Sequence, residues 1–351
     1  MTGPAQPSLG RSVDWRFAGT VGARLARPGP PATDYTRRQA IDDLVRASRA
    51  AEEPVRDVTR LSGEAPVPEA RILDRAQWIH CASASMRAMT GGTDTPKNLI
   101  TGRAAGAQTG AVLAFISSGI LGQYDPFAAG PAGAAGALLL VYPNVIAVER
   151  QLRLPPRDFR LWVCLHEVTH RVQFTANPWL AGYMSQALSV LTAEGSDGVG
   201  TVVGRLADFV RTRREPSGNA EPAGVVGLLR AVQSEPQRAA LDRLLVLGTL
   251  LEGHADYVMD AVGPAVVPSV QLIRRRFDDR RQRKQPPLQR LLRALLGVDA
   301  KLSQYARGSA FVGEVVDRVG MARFNTVWSG PETLPLPDEI EKPQRWIDRV
   351  L

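Results

Sequence analysis

Apolar positions along the chain recur mostly at three- and four-residue intervals, the spacing of helices with one buried face. The first 35 residues are broken by Gly and Pro and end in RPGPPATDY, which reads as an irregular arm. Helical spacing begins at Thr36 and runs to about Ala51, and a second helix is expected from Pro68 to Met89, before the turn sequence GGTDTP. The stretch Ala104 to Gly122 is apolar, but Gln108, Thr109, Ser117, Ser118 and its glycines weaken it as a membrane span. A buried Gly/Ala-rich helix packed closely on its neighbours is expected there. LGQYDPF follows as a polar-aromatic turn. Ala137 to Val148, ALLLVYPNVIAV, is the best strand candidate. Its internal Pro143 points to an edge strand or two short pieces, and such an edge around Val141 to Val145 could hold an extended substrate by strand addition.

Pro155-Pro156 and Asp158 then open a strong helix, DFRLWVCLHEVTHRVQF, which stops at Asn177-Pro178. Downstream the pattern is helix and loop. Gly195 to Gly204 and Pro216 to Gly224 are loop-rich, Gln237 to Val262 forms a long helix, and Leu288 to Leu296 and Ser309 to Val319 form shorter ones. The tail is Pro-rich and ends in an amphipathic turn. No internal repeat is visible, which argues against a solenoid. The expectation is a mainly α fold with a small β-sheet. It divides into an N-terminal helical region (1–95), a core (96–270) and a C-terminal helical region (271–351), or forms one domain throughout.

Composition changes this picture little. With 44% hydrophobic and 22% charged residues the chain is ordinary globular protein, and two cysteines, Cys81 and Cys164, exclude a disulfide scaffold or multi-cysteine zinc module. No apolar leader segment opens the chain, so a cytoplasmic protein with reduced thiols and no membrane partner is expected. The net charge of +8 raises nucleic acid as a partner. The positive residues are nearly all Arg, however, with Lys only at 97, 284, 301 and 342, a bias that suits a GC-rich genome. The densest basic run, Arg274-Arg275-Arg276 with Arg280 to Lys284, is interrupted by Asp278 and Asp279 and lacks interleaved aromatics. It reads as a solvated helix and loop, and a nucleic-acid partner is not expected.

Histidine is the informative residue, because there are four and two lie in His166-Glu167-Val168-Thr169-His170. Residues four apart share a helix face, so both imidazoles can reach one zinc ion. Glu167, about 100° round the helix from His166, can sit beside the metal and receive a proton from the attacking water. The apolar surroundings of the pair (Phe159, Trp162, Val163, Leu165, Val172 and Phe174) argue against two ordinary surface histidines.

A third donor is needed, and LLEGHADYVMD offers Glu252, His254 and Asp256. Glu252 and Asp256 fall within the apolar stripe of Leu241, Leu245, Gly248, Ala255 and Met259, whereas His254 points to the other side of the helix. Glu252 is therefore expected to complete the zinc site, with Asp256 holding a ligand histidine through its second ring nitrogen. Pairing of both carboxylates with Arg is the plainer alternative. His254 stays open as a rival ligand, should Gly253 distort the helix, or as a catalytic donor to the oxyanion, a part Tyr257 could also take. Cys164 reads as core packing, and His80 as an ordinary histidine.

The chain resembles the zincin-like metallopeptidase type 2 family of actinobacteria. The likeness rests on DWRFAGTVGARLARPGP, PVRDVTRL, ILDRAQW, LGQYDPF, LLLVYPNVIAVE, FRLWVCLHEVTHRVQFTANPWL, LLEGHADYVMD, FNTVWSGPETLP and the terminal W-x-x-R-V. Some members of that family are associated with deazaflavin coenzyme biosynthesis. The resemblance implies a zincin-like metalloprotease fold, metal ligands His166, His170 and Glu252, and Glu167 as base; it names no substrate. The function expected is zinc-dependent hydrolysis of a peptide or protein, with one zinc per chain. A catalytically silent zincin-like scaffold is the alternative, and a nucleic-acid-binding protein a more distant one.

Overall fold

The structure, a computed structural model, describes residues 9–63, 68–93, 95–129, 135–192, 234–282 and 298–351. The expected helix Leu288 to Leu296 and the loop-rich stretches 195–204 and 216–224 lie outside them. The described residues form many helices around one three-stranded sheet, the expected class. The helices used below are α1 (Trp15–Leu25), α2 (Asp34–Ala50), α3 (Glu52–Thr59), α4 (Arg75–Met89), α5 (Leu99–Ser117), α6 (Tyr142–Leu152), α7 (Pro156–Ala176), α8 (Trp179–Thr192), α9 (Glu235–Ala261), α10 (Val270–Gln282), α11 (Val298–Phe324) and α12 (Pro343–Val350).

The sheet contains β1 (Arg71–Leu73), β2 (Gly122–Ala129) and β3 (Ala135–Val141), in the order β1-β3-β2. β1 runs parallel to β3 and pairs Ile72 with Leu140, while β2 runs antiparallel and pairs Tyr124 with Leu138. The central strand is buried on both faces, as its unbroken apolar run requires.

Four local expectations are corrected. The apolar stretch from Ala137 is a strand only to Val141, and it is the middle strand, not an edge. Pro143 lies in the first turn of α6, where its missing N–H costs nothing, and Val145, Ile146, Val148 and Leu152 then fall on one buried helical face. LGQYDPF is not a turn but lies largely in the edge strand β2. The register slips between Asp125 and Ala129, where the Asp125 carboxylate turns inward to accept from the Phe127 N–H (3.0 Å) and the Ser85 hydroxyl (2.7 Å). The Pro68 segment gives β1 first, and α4 starts only at Arg75 behind the capping box of Asp74 and Gln77. The N-terminal arm contains α1, capped by Asp14, whose side chain accepts from the Phe17 N–H at 2.9 Å.

The Gly/Ala-rich helix α5 does pack closely on its neighbour. A Cβ on Gly106 would lie 2.6 Å from the Asp14 carbonyl oxygen, and one on Gly110 would lie 2.5 Å from that of Ala18. Its other face is open, with Ile100 83% exposed, so it is only partly the buried helix expected. Among the described residues α5 is the one helix long and apolar enough to cross a membrane by length and composition, at a mean hydropathy of 1.2.

Three apolar clusters lie around the sheet. α4, α5 and β3 share one of them, and the inner faces of α2, α3, α6, α7 and the end of α9 share another. The third joins α8 and the middle of α9 to α11 and the C-terminal tail, where Trp346 is fully buried. α9 thus sits between two clusters, which fixes its position beside α7. Buried ion pairs hold the back of α7 as well. Arg160 donates to both oxygens of Glu149 (3.0 and 2.8 Å) and to Asp43 (2.6 Å), while Arg171 pairs with Glu52 of α3. Such buried pairs tolerate loss of one partner poorly, so they register α7 against α2, α3 and α6.

Candidate metal centre

The expected metal-site residues His166 and His170 lie one turn apart on α7, and Glu252 faces them from α9. The two Nε2 atoms are 3.2 Å apart, and the nearer carboxylate oxygen of Glu252 lies 3.4 Å from His166 and 3.8 Å from His170. Four donors at about 2.0–2.1 Å from a tetrahedral zinc lie about 3.3 Å from one another. The three separations therefore match three corners of such a site, and the donor set of two imidazoles and one carboxylate is one that zinc takes. The residues present fit a metal ion.

Charge is concentrated here. Burial disfavours the charged ring of His166, but the hydrogen bond to Glu252 and the charges of Glu167, Glu252 and Asp256 outweigh it, lifting its pKa to about 9. Burial pushes Glu167 the other way from an ordinary carboxylate, up to about 7, with His166 opposing and Glu252 adding to the shift. The Glu167 side chain rests on the backbone of β2. A Cβ on Gly122 would come within 2.6 Å of its Cγ and 2.9 Å of Oε1. Only a residue without a side chain leaves the carboxyl this position between helix and edge strand.

Asp256 does not sit where the sequence reading put it. It pairs with Arg274 of α10 (2.5 Å), which also donates to Asp260 (2.8 Å) and lies over the Trp162 ring. The plainer alternative of an Arg partner is thus realised for Asp256. It also draws Arg274 out of the basic run and into the packing of α9 on α10. The second ring nitrogens of the two histidines face other groups: His166 Nδ1 lies 3.3 Å from the Met259 sulfur, and His170 Nδ1 lies 2.9 Å from Oε1 of Gln173.

His254 is fully buried on the opposite side of α9, stacked on Phe324 and set edge-on to Trp328, and its Nδ1 meets Gln173. Burial, with the nearby His170, lowers its pKa to about 3, so it stays neutral. The structure does not bring it into the donor cluster, either as rival ligand or as oxyanion donor. Cys164 is buried and packed in the core, where burial raises its thiol pKa. Gln173 and Gly122 were missed by sequence reasoning. Gln173 was findable, because a Gln one turn beyond His170, on an otherwise apolar stretch, needs a polar partner.

Gly253, between Glu252 and His254, faces α11. A Cβ on it would lie 2.2 Å from the Gly308 carbonyl carbon, and one on Gly308 would lie 2.1 Å from the Thr249 oxygen. Neither backbone can yield without moving a helix. Gly253→Ala is expected to cost about 1–3 kcal/mol by overpacking, read as a lower thermal unfolding midpoint.

The sequence model of the family described as zincin-like metallopeptidase matches residues 13–347. This chain belongs to that family. A crystal structure from Chloroflexus aurantiacus, described provisionally as a hydrolase with a novel fold, resembles this zincin-like protein over 96% of its length and 98% of the other chain. The TM-score is 0.66 at 29% identity. No curated protein sequence matches the chain. The family places this zincin-like chain among hydrolases and implies a metal.

Proposed function

We propose that the protein is a zinc-dependent peptidase in which His166, His170 and Glu252 hold the metal and Glu167 acts as general base. The observation that carries this reading is the spacing of the three donor atoms at 3.2, 3.4 and 3.8 Å, with Glu167 adjacent on the same helix. A zinc ion held there would supply Lewis-acid polarisation of the scissile carbonyl and of water. Glu167, raised towards neutral pH by burial, is suited to take the proton from water and return it to the leaving amine.

β2 is the strand that would receive substrate. It is a sheet edge, and at Gly122 its backbone runs against Glu167, so a peptide added alongside would lie next to the base. This replaces the Val141 to Val145 segment, of which Val141 ends the central strand and the rest opens α6, so that it has no free edge. A peptide or protein is the substrate class an edge strand can align.

Protein purified without a metal-affinity step should carry close to one zinc per chain. It should cleave members of a mixed peptide library, with activity lost on chelation and regained with zinc. Stoichiometric zinc without turnover across the library would favour the silent scaffold. Absence of zinc uptake would remove the metal reading altogether.

A further inference from the structure

Gln173 makes contacts on both sides of the gap between the two helices that carry the donors. Its Oε1 lies 2.9 Å from His170 Nδ1, and its Nε2 lies 3.0 Å from the Leu251 carbonyl and 2.9 Å from His254 Nδ1. The side chain is fully buried, so an incorrectly oriented amide would be costly. The Leu251 carbonyl can only accept, so the group facing it must be the NH2. The amide oxygen therefore faces His170, whose Nδ1 must carry the proton and whose Nε2 must offer its lone pair. The second amide N–H points to His254, which must accept at Nδ1 and carry its proton on Nε2.

From this chain of donors and acceptors we infer that Gln173 is the positioning residue of the metal centre. A main-chain carbonyl one residue before Glu252 sets the amide, and the amide sets the tautomer and ring plane of His170 on the facing helix. Through His254, on the Glu252 helix and wedged against Phe324 and Trp328, the same amide ties the His170 helix to the C-terminal cluster. The inference rests on the metal reading above, and it gives His254 a structural task in place of the catalytic one considered from the sequence. Polar partners of this kind typically change metal affinity by about 10–100-fold.

Two measurements test it. In ring-nitrogen NMR of the labelled protein, where only four histidines need assignment, His254 should show the neutral Nε2–H tautomer. A His254 ring protonated at Nδ1 would overturn the arrangement without any variant. Zinc affinity is then read by competition with a chromophoric chelator. Gln173→Met, which keeps the bulk and removes the polar atoms, should weaken zinc by about 10–100-fold. Gln173→Glu keeps an acceptor for His170, so it should hold zinc more tightly than Gln173→Met while moving the His254 proton to Nδ1. Equal zinc affinity in wild type and Gln173→Met overturns the inference alone. A wild type that takes up no zinc overturns the metal reading, and the positioning role with it. Should Gln173→Met fail to fold, the His254 tautomer in the wild type and its move to Nδ1 in Gln173→Glu still decide.

Discussion

Glu167→Gln should leave zinc content at the wild-type level and reduce peptide hydrolysis by about 10²–10⁴-fold, the usual range for loss of a general base. Gln is isosteric with Glu, so the packing against Gly122 and β2 is preserved. The amide cannot accept a proton from water at working pH, which isolates the proton-transfer role from substrate alignment. Stability gives an internal control. In the metal-free protein the Glu167 pKa lies at about 7, above its ordinary 4.5, because burial disfavours the charged form. A raised carboxyl pKa means the folded state loses stability as pH climbs from about 4.5 to about 7 and stays lower above that. The neutral amide removes this loss. The metal-free variant should therefore melt no lower than wild type at pH 8, and a variant that is inactive because it is unfolded would be recognised at once. Hydrolysis within a few-fold of wild type would take the base role from Glu167.

The features legible in the sequence were those written in local periodicity. α7 and α9 follow directly from their apolar spacing, Pro and acidic starts and the Asn177-Pro178 stop, and with them the three donors were brought to two short blocks. The sheet was harder, because a strand depends on partners far away in sequence. Gly122 to Ala129 carries a Pro and an inward-turned Asp125, which locally suggest a turn, and only pairing with β3 makes it a strand. α1 was hidden for a related reason. Its glycines lower intrinsic helicity, yet Gly22 is what lets α1 approach Gly110 of α5. Around the site, phasing placed Glu252 and Asp256 on the same face and gave both a place at the histidines, and of the two it is Glu252 that faces them. Arg274, eighteen residues beyond Asp256, takes that carboxylate, and Gln173 stands where an acidic partner was expected.

Glu252→Ala separates the remaining assignments. Loss of a polar partner behind a ligand costs about 10–100-fold in affinity, so loss of a ligand itself should exceed about 100-fold and leave purified protein without stoichiometric zinc. The metal-free form carries a second signature. His166 is held near pKa 9 chiefly against the cost of its burial, by the Glu252 hydrogen bond and by surrounding carboxylate charge. Because that value lies above the ordinary 6.5, the pair's stabilisation is fully present below about pH 6.5 and is lost as pH rises towards about 9. In Glu252→Ala the burial that opposes the charged ring loses its main counterweight, so His166 should titrate well below 9 and this pH slope should flatten. A proton and a zinc ion compete for the same Nε2, so wild-type zinc affinity should climb over the same window. If Glu252→Ala keeps one zinc per chain while His254→Gln loses it, the third donor is His254. That outcome would require α9 to turn so that a ring now stacked on Phe324 reached the opposite side of the helix.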